Sequence, residues 1–452
     1  MVRKAATVFS CTACGAQSPQ WIGRCPECGA WSTLVEERAA EAPPRGGAIG
    51  PSGSAPVRLS DVAAAAVPRI PTGITDMDRV LGGGLVPGSV VLVGGEPGIG
   101  KSTLLLQVAA RLSERVGSVL YVSAEESARQ VKMRADRLDA SAPGLFLLPE
   151  TSLEAILEAA RAGAFGAIVV DSIQTIASAD VPAAAGSVTQ VRACAGRLLA
   201  LAKTTGVPVF LIGHVTKDGT LAGPKTLEHL VDAVLSFEGE RFHAHRVVRA
   251  LKNRFGPVHE LGLFEMTGAG LIEVANPSAL YLGSGAGGRP GSVVLAGVEG
   301  TRPLLLEVQA LTVEAKYGSP RRTAIGFDGT RLALLLAVLE RHGGMSLSSH
   351  DVFLNVAGGA ESAEPAADLA VCSAVAGSFR GRALPAGTAV FGEVGLLGEV
   401  RAVSDAALRL KEAVSLGFRS AFVPAGNAGE AAAFPDLSTV PLRSVEELLA
   451  KT

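Results

Sequence analysis

The chain has 452 residues, enough for two or three domains that each bury a core. Its formal charge of −2 and isoelectric point near 6.4 exclude a generally basic nucleic-acid coat, so any nucleic-acid contact must come from local patches. Hydrophobic residues make up 48%, yet no apolar run approaches the ~20 residues of a membrane span, and MVRKAATVFSCTACG lacks an apolar core of signal-peptide length. The composition therefore predicts a soluble cytoplasmic protein with no membrane contact.

Residues 1–35 form a cysteine-rich module. CTACGAQSPQWIGRCPECG places Cys11-x2-Cys14, ten residues, then Cys25-x2-Cys28. Each Cys-x-x-Cys turn can aim two thiolates at one ion, and Gly15 and Gly29 allow the tight knuckle after each pair. Four thiolates close a tetrahedral Zn2+ site with no open position for water. The redox reading usually involves a single Cys-x-x-Cys beside a thioredoxin-like unit. So short a module cannot build a core alone, so the metal supplies much of its folding energy. Trp21 and Trp31, the only tryptophans, both fall here and either pack on the knuckles or stack on a base. The remaining cysteines, Cys194 and Cys372, sit in apolar helical contexts and read as small core residues.

Residues 36–58 are rich in Pro, Gly, Ala and Ser with no apolar period, which predicts a flexible linker. From 59 to 280 the apolar runs SVVLVGG, SVLYVSAEE, FGAIVVDS and PVFLIGH alternate with helical patterns. Continuous apolar strands between helices predict an α/β domain with a parallel sheet covered on both faces. GGEPGIGKST follows the first strand and opens a helix, the context a phosphate-binding loop requires. Its residues Gly95, Glu96, Pro97, Gly98, Ile99, Gly100, Lys101, Ser102 and Thr103 are candidates to hold ATP. Backbone N–H groups cradle phosphates there, Lys101 meets the β/γ oxygens and Ser102 ligates Mg2+. Asp171, ending AIVVDS, is the candidate second Mg2+ carboxylate. YVSAEES leaves Glu125 and Glu126 at a strand end. One, with Glu125 favoured, can orient the attacking water while the other caps the next helix. His214 ends PVFLIGH. RALKNRFGP then puts Arg249, Lys252 and Arg254 within six residues; on an extended segment Lys252 and Arg254 project to one side.

A second break at 281–292 precedes a separate α/β domain over 285–452, with strands SVVLAGV and DVFLNVAG and a helix near TRLALLLAVLERHG.

The lead-in TGITDMDRVLGGGLVPGS, the phosphate loop, SAEES, VVDSIQT and KNRFG together resemble the bacterial RadA (Sms) family of DNA-repair proteins, whose core is similar to RecA. The resemblance spans essentially the whole chain. It implies a zinc finger, a RecA-like P-loop ATPase and a C-terminal domain similar to the Lon protease domain. By resemblance Glu125 is the water-activating carboxylate and His214 a γ-phosphate sensor that starts a DNA-facing loop. Lys252 and Arg254 then reach the nucleotide of a neighbouring subunit. DNA-facing loops would fall at 177–191 and 215–228, the second carrying Lys217 and Lys225 for phosphate contacts. FGEVGLLGEVRAV carries the Lon likeness, but Ala366 and Ala407 stand where that family has its serine and lysine, and Lys411 one turn later lacks a serine partner. That domain becomes an oligomerisation and DNA-binding platform, with Arg302, Arg321, Arg322, Arg380 and Arg382 as its basic charge. The family implies a hexameric ring that binds single-stranded and branched DNA, works with RecA recombinase and drives branch migration. The competing readings are a KaiC-like regulatory ATPase and an ATP-dependent protease.

Overall fold

The structure, a computed structural model, describes residues 7–11, 17–27, 29, 31–38, 58, 68–214, 225–239, 245–258, 260–283, 285–316 and 319–452. It divides into two compact units, Met1–Val274 and Ala275–Thr452.

At the N-terminus, β1 (Thr7–Cys11), β2 (Gln17–Ser18) and β3 (Leu34–Arg38) form an antiparallel sheet in the order β2-β1-β3. The ladder from Cys11 with Leu34 to Thr7 with Arg38 is continuous, so the module runs to residue 38, past the 35 read from composition. Residues 39–57 of the expected linker lie outside the described residues.

The α/β core opens with α1 (Thr75–Val80), then β4 (Val90–Gly95), α2 (Lys101–Val116), β5 (Val119–Ser123) and α3 (Ala128–Arg137). It continues through β6 (Leu145–Pro149), α4 (Leu153–Ala162), β7 (Ala167–Asp171), α5 (Val188–Thr205) and β8 (Val209–His214). Last come α6 (Lys225–Leu230), β9 (Ala233–Glu238), β10 (His245–Asn253), β11 (Leu261–Thr267) and β12 (Gly270–Glu273). The nine strands lie in the order β12-β11-β10-β9-β4-β8-β7-β5-β6. From β9 to β6 neighbours run parallel. From β9 to β12 they run antiparallel, a meander beyond the expected parallel sheet.

The central strands alternate between two cores because successive side chains point to opposite faces. Val91, Val93, Val119, Tyr121 and Ile212 pack against α2 and α3. Val90, Leu92, Leu120, Val122 and Leu211 pack against α4 and α5. Burial on both faces is why these strands read as unbroken apolar runs. The lead-in segment anchors the meander: Asp76 Oδ2 accepts from Leu263 N at 2.8 Å, and Asp76 N donates to Glu273 Oε1 at 2.7 Å.

The second unit starts earlier than the predicted 285, with α7 (Pro277–Tyr281). It adds β13 (Ser292–Glu299), β14 (Arg302–Glu314), β15 (Arg322–Ile325), α8 (Gly329–Gly343), β16 (His350–Val356), α9 (Asp368–Arg380) and β17 (Thr388–Val390). β18 (Glu393–Val394), β19 (Val400–Arg401), α10 (Ala406–Ser415), β20 (Ser420–Pro424), α11 (Ala428–Ala431), β21 (Ser438–Leu442) and α12 (Val445–Leu449) complete it. Its main sheet runs β15-β16-β14-β13-β17-β20-β21. α7 belongs here because Ser278 Oγ accepts from Leu305 N at 3.0 Å and donates to Glu412 Oε1 at 2.7 Å. The predicted basic surface is thinner than the sequence suggests. Arg302 is buried, Arg322 donates to Leu347 O at 3.0 Å, and Arg380 donates to Leu449 O.

Candidate nucleotide site and zinc module

All six residues of β4 are buried at the sheet centre, and the strand delivers Gly95 to a turn that exposes Glu96, Pro97 and Gly98. Gly100 caps α2 with φ 120°, and a Cβ there would meet Met266 Cε at 2.6 Å, so glycine is required. Lys101 is buried, and its ammonium donates to Gly95 O at 2.7 Å and Glu96 O at 2.8 Å. Burial pulls its pKa down to about 8, against the carboxylates of Asp171, Glu125 and Glu96, which favour the charged form. Ser102 and Thr103 follow in the first turn, half-buried. The helix N-terminus and loop amides make an anion cradle.

Gly95 pairs with His214, and Ser123 pairs with Asp171. The carboxyl ends of β4, β8, β7 and β5 therefore bring the loop, Glu125, Asp171 and His214 to one end of the sheet. Asp171 is buried, and its Oδ2 accepts from Tyr121 O–H at 2.6 Å. Glu125 Oε1 accepts from Ser172 Oγ and lies 3.2 Å from His214 Nε2. The His214 bond, joined by Ser172, lowers the Glu125 pKa although burial opposes it. Glu126 instead pairs with Arg134 on α3. The expectation that it caps α3 is corrected: Ser127 is the cap, in a reciprocal box with Gln130. Sequence reasoning missed Ser172 and Tyr121, whose roles depend on neighbours in adjacent strands.

Lys252 and Arg254 lie at the other end. Lys252 pairs with Val234, Asn253 with Ala233, and Ala233 with Val91 at the start of β4. That is about 13 Å of strand from Gly95. The register shifts between Ala250 and Lys252 and the strand stops at Asn253, so alternation does not set the two directions as expected. Both cations still converge on residues 228–232. Lys252 Nζ donates to Glu228 O and, at 2.9 Å, to Val231 O. Arg254 lies 3.3 Å from Asp232 Oδ1. Asp232, absent from the sequence reading, is buried and also accepts from Lys203 at 2.8 Å and Val90 N at 3.0 Å. Arg69 donates to Phe255 O and Leu81 O, tying the Phe-Gly turn to the lead-in.

Of the two expected DNA loops, 177–187 is a held arc. The buried Gln190 amide donates to Ser178 O at 3.0 Å, Val181 O at 2.9 Å and Ala183 O at 3.0 Å. Lys217 lies outside the described residues. Lys225 opens α6, so 225–228 is helical and not loop.

In the zinc module Cys11 and Cys25 are each 1% exposed and share a cluster with Leu34. Gly29 N donates to Cys25 O at 2.9 Å, closing the knuckle turn. Two thiols aimed into one small core fit a shared metal; Cys14 and Cys28 lie outside the described residues. Trp21 and Trp31 do not pack away on the knuckles: they are 56% and 72% exposed. Cys194 and Cys372 are core residues, as read.

In the second unit Ala366 is buried in a turn and Ala407 is exposed on α10. Their segments are clasped by Arg409 and Glu364, 2.6 and 3.0 Å apart at two nitrogen–oxygen contacts. Neither position holds a nucleophile or base, and Lys411 is exposed.

A sequence profile described as an AAA domain matches residues 55–220, and one described as a rubredoxin metal binding domain matches residues 9–36. The chain is 50% identical over 428 residues to the DNA repair protein RadA of Bacillus subtilis (strain 168), covering 94% of this chain and 93% of the relative. It is 53% identical over 428 residues to the protein of the same name from Pseudomonas aeruginosa, covering 94% of each. Against that of Halalkalibacterium halodurans identity is 46% over 452 residues, 99% of each chain.

Proposed function

The chain belongs to the RadA family of DNA repair proteins, and from that premise we propose that it is a DNA-dependent ATPase whose hydrolysis site is completed by a neighbouring subunit. In this reading the subunits form a hexameric ring in the cytoplasm that binds single-stranded and branched DNA and drives branch migration together with RecA recombinase. Among the described residues no helix is long and apolar enough to cross a membrane.

The observation that carries the reading is the separation of the two halves of the site along β4. Lys101, Ser102, Asp171, Glu125 and His214 gather beyond the carboxyl ends of the parallel strands. Lys252 and Arg254 sit at the opposite end, too far to serve their own nucleotide. Lys101 and the loop amides bind the triphosphate. Ser102 and Asp171 would hold Mg2+, which neutralises phosphate charge when bound. Glu125, oriented by Ser172 and His214, positions the water for in-line attack. Lys252 and Arg254 of the adjacent subunit then stabilise charge on the transferring phosphoryl, as an arginine finger does. Cys11, Cys14, Cys25 and Cys28 would hold Zn2+, which supplies folding energy to the N-terminal module. Lys217 and Lys225 contact DNA phosphates. The C-terminal domain, with alanines at 366 and 407, serves oligomerisation and DNA binding without peptide hydrolysis.

Subunit mixing tests the central claim. Lys101→Ala and Arg254→Ala are each inactive alone. An equimolar mixture regains about a quarter of wild-type turnover, because one interface in four joins an intact loop to an intact arginine. Wild-type turnover by Arg254→Ala alone would sink the shared site. Branch migration of a three-strand intermediate, with and without RecA, tests the motor.

A further inference from the structure

We propose that the zinc module carries a nucleobase-stacking site in which an unpaired base of single-stranded DNA stacks on the exposed rings of Trp21 and Trp31 beside Gly23. Both indoles are mostly in solvent, which is a costly arrangement for the largest apolar side chains of so small a module. They also approach one point. Trp31 Cζ3 and Trp21 Cη2 lie 3.8 and 3.9 Å from where a Cβ on Gly23 would sit, so these atoms are under 8 Å apart. Glycine at 23 leaves the space beside both rings open; a Cβ there would already lie within 4 Å of each.

The frame around that space is held. Ser32 N donates to Gly23 O at 2.8 Å, and Arg24 pairs with Trp31 across an antiparallel bridge. Arg24 Nε donates to Gly29 O at 2.9 Å, which fixes the guanidinium to the metal knuckle, with its Cζ 5.8 Å from the Trp31 ring centroid. A fixed cation over one of two exposed aromatic rings is a combination that binds a base and its phosphate. The charge and the two exposed rings favour a nucleotide over a peptide. The ATPase loops at 177–191 and 215–228 contain no aromatic residue, so they offer phosphate contacts but no stacking. The zinc module supplies what they lack. This inference rests on the DNA-binding reading above.

The test uses the intact, zinc-loaded chain. Because Trp21 and Trp31 are its only tryptophans, tryptophan emission reports on this module alone. An oligo-deoxythymidylate should quench that emission in step with binding followed by anisotropy of the labelled oligonucleotide. Trp31→Ala should weaken binding by roughly 5- to 150-fold, whereas Trp31→Phe should restore most of it. Gly23→Leu, which fills the space beside both rings and removes no ring, should weaken binding comparably. Zinc content measured on each variant separates loss of stacking from loss of fold; if Trp31→Ala loses zinc, wild-type quenching and Gly23→Leu decide. Oligonucleotide binding with unchanged emission, or undiminished affinity in zinc-loaded Trp31→Ala, overturns the stacking site and leaves the ATPase reading intact. Quenching by recombinase but not by oligonucleotide also overturns it and puts the rings at a protein interface. Absence of any anisotropy change removes the DNA-binding reading itself, and this inference with it.

Discussion

Asp232 is the residue on which the position of Arg254 turns, and replacing it gives two graded outcomes. Its buried carboxylate accepts from Val90 N at 3.0 Å, Lys203 at 2.8 Å and Arg254 at 3.3 Å. The cations are about half exposed, 48% and 52%, so solvent recovers most of each pair and each contributes no more than about 1 kcal/mol. Val90 N opens a fully buried strand, and leaving it unpaired costs about 1–3 kcal/mol. Asp232→Asn keeps one acceptor for Val90 and loses the charge, a cost of about 1–2 kcal/mol. Asp232→Ala orphans Val90 as well and costs about 2–5 kcal/mol. At about 2–4 °C per kcal/mol for a unit of this size, the melting shifts are about 2–8 °C and about 4–20 °C. Nucleotide affinity should hardly move, because Asp232 sits at the start of β4 and the phosphate loop at its end. Turnover should fall with both substitutions as Arg254 loses its anchor. Calorimetry, nucleotide titration and a steady-state ATPase assay read the three quantities. An asparagine variant with wild-type melting and turnover would refute the anchoring role.

Glu125→Gln should lower turnover by about a hundred- to ten-thousand-fold with ATP binding retained, while Glu126→Gln, which loses only the Arg134 pair, should stay within a few-fold; equal losses would reverse the assignment. Lys101 titrates at about 8 in the free chain. Phosphate oxygens favour its charged form, so binding near pH 8 takes up about half a proton and affinity falls up to tenfold per unit as pH rises further. Titration calorimetry in buffers of different ionisation heat reads this directly; zero proton uptake contradicts it. Arg409→Ala leaves Glu364 without its partner and removes the bond to Ala296 O at 2.8 Å, which should destabilise the second unit by about 3–5 kcal/mol. Arg409→Lys should rescue little, because one ammonium cannot reproduce the two-pronged contact; full recovery in a thermal melt would count against that geometry.

The phosphate loop was legible because its chemistry is contiguous: strand, glycines, lysine and helix follow one another in the chain. Asp171 and His214 were legible one level up, as polar residues ending apolar strands that parallel pairing brings to a common edge. The choice between Glu125 and Glu126 needed Ser172 and Arg134, which no spacing around YVSAEES points to. HRVVRALKN gave a basic strand but not its location, since antiparallel pairing with β9 puts Lys252 at the start of β4. Asp232 and Gln190 carried no motif at all. They are lone polar residues among apolar ones, and only burial against a backbone amide or a set of carbonyls reveals what they hold. The choice between packed and exposed tryptophans was not legible for a related reason: composition says how apolar a short module is, not which of its rings it can cover.

The polarity of β4 has a kinetic consequence. On the proposed reading a chain offers a socket at one end of the sheet and a plug at the other, so every contact is head-to-tail. A linear run of subunits always carries one socket without a plug, and a lone subunit is nothing but that defect. Specific activity must then climb with protein concentration and level off only once rings close and no ends remain. Adding the plug-deficient Arg254→Ala chain in small amounts should poison closed rings in proportion to its share, a dose response that a self-sufficient monomer would not give.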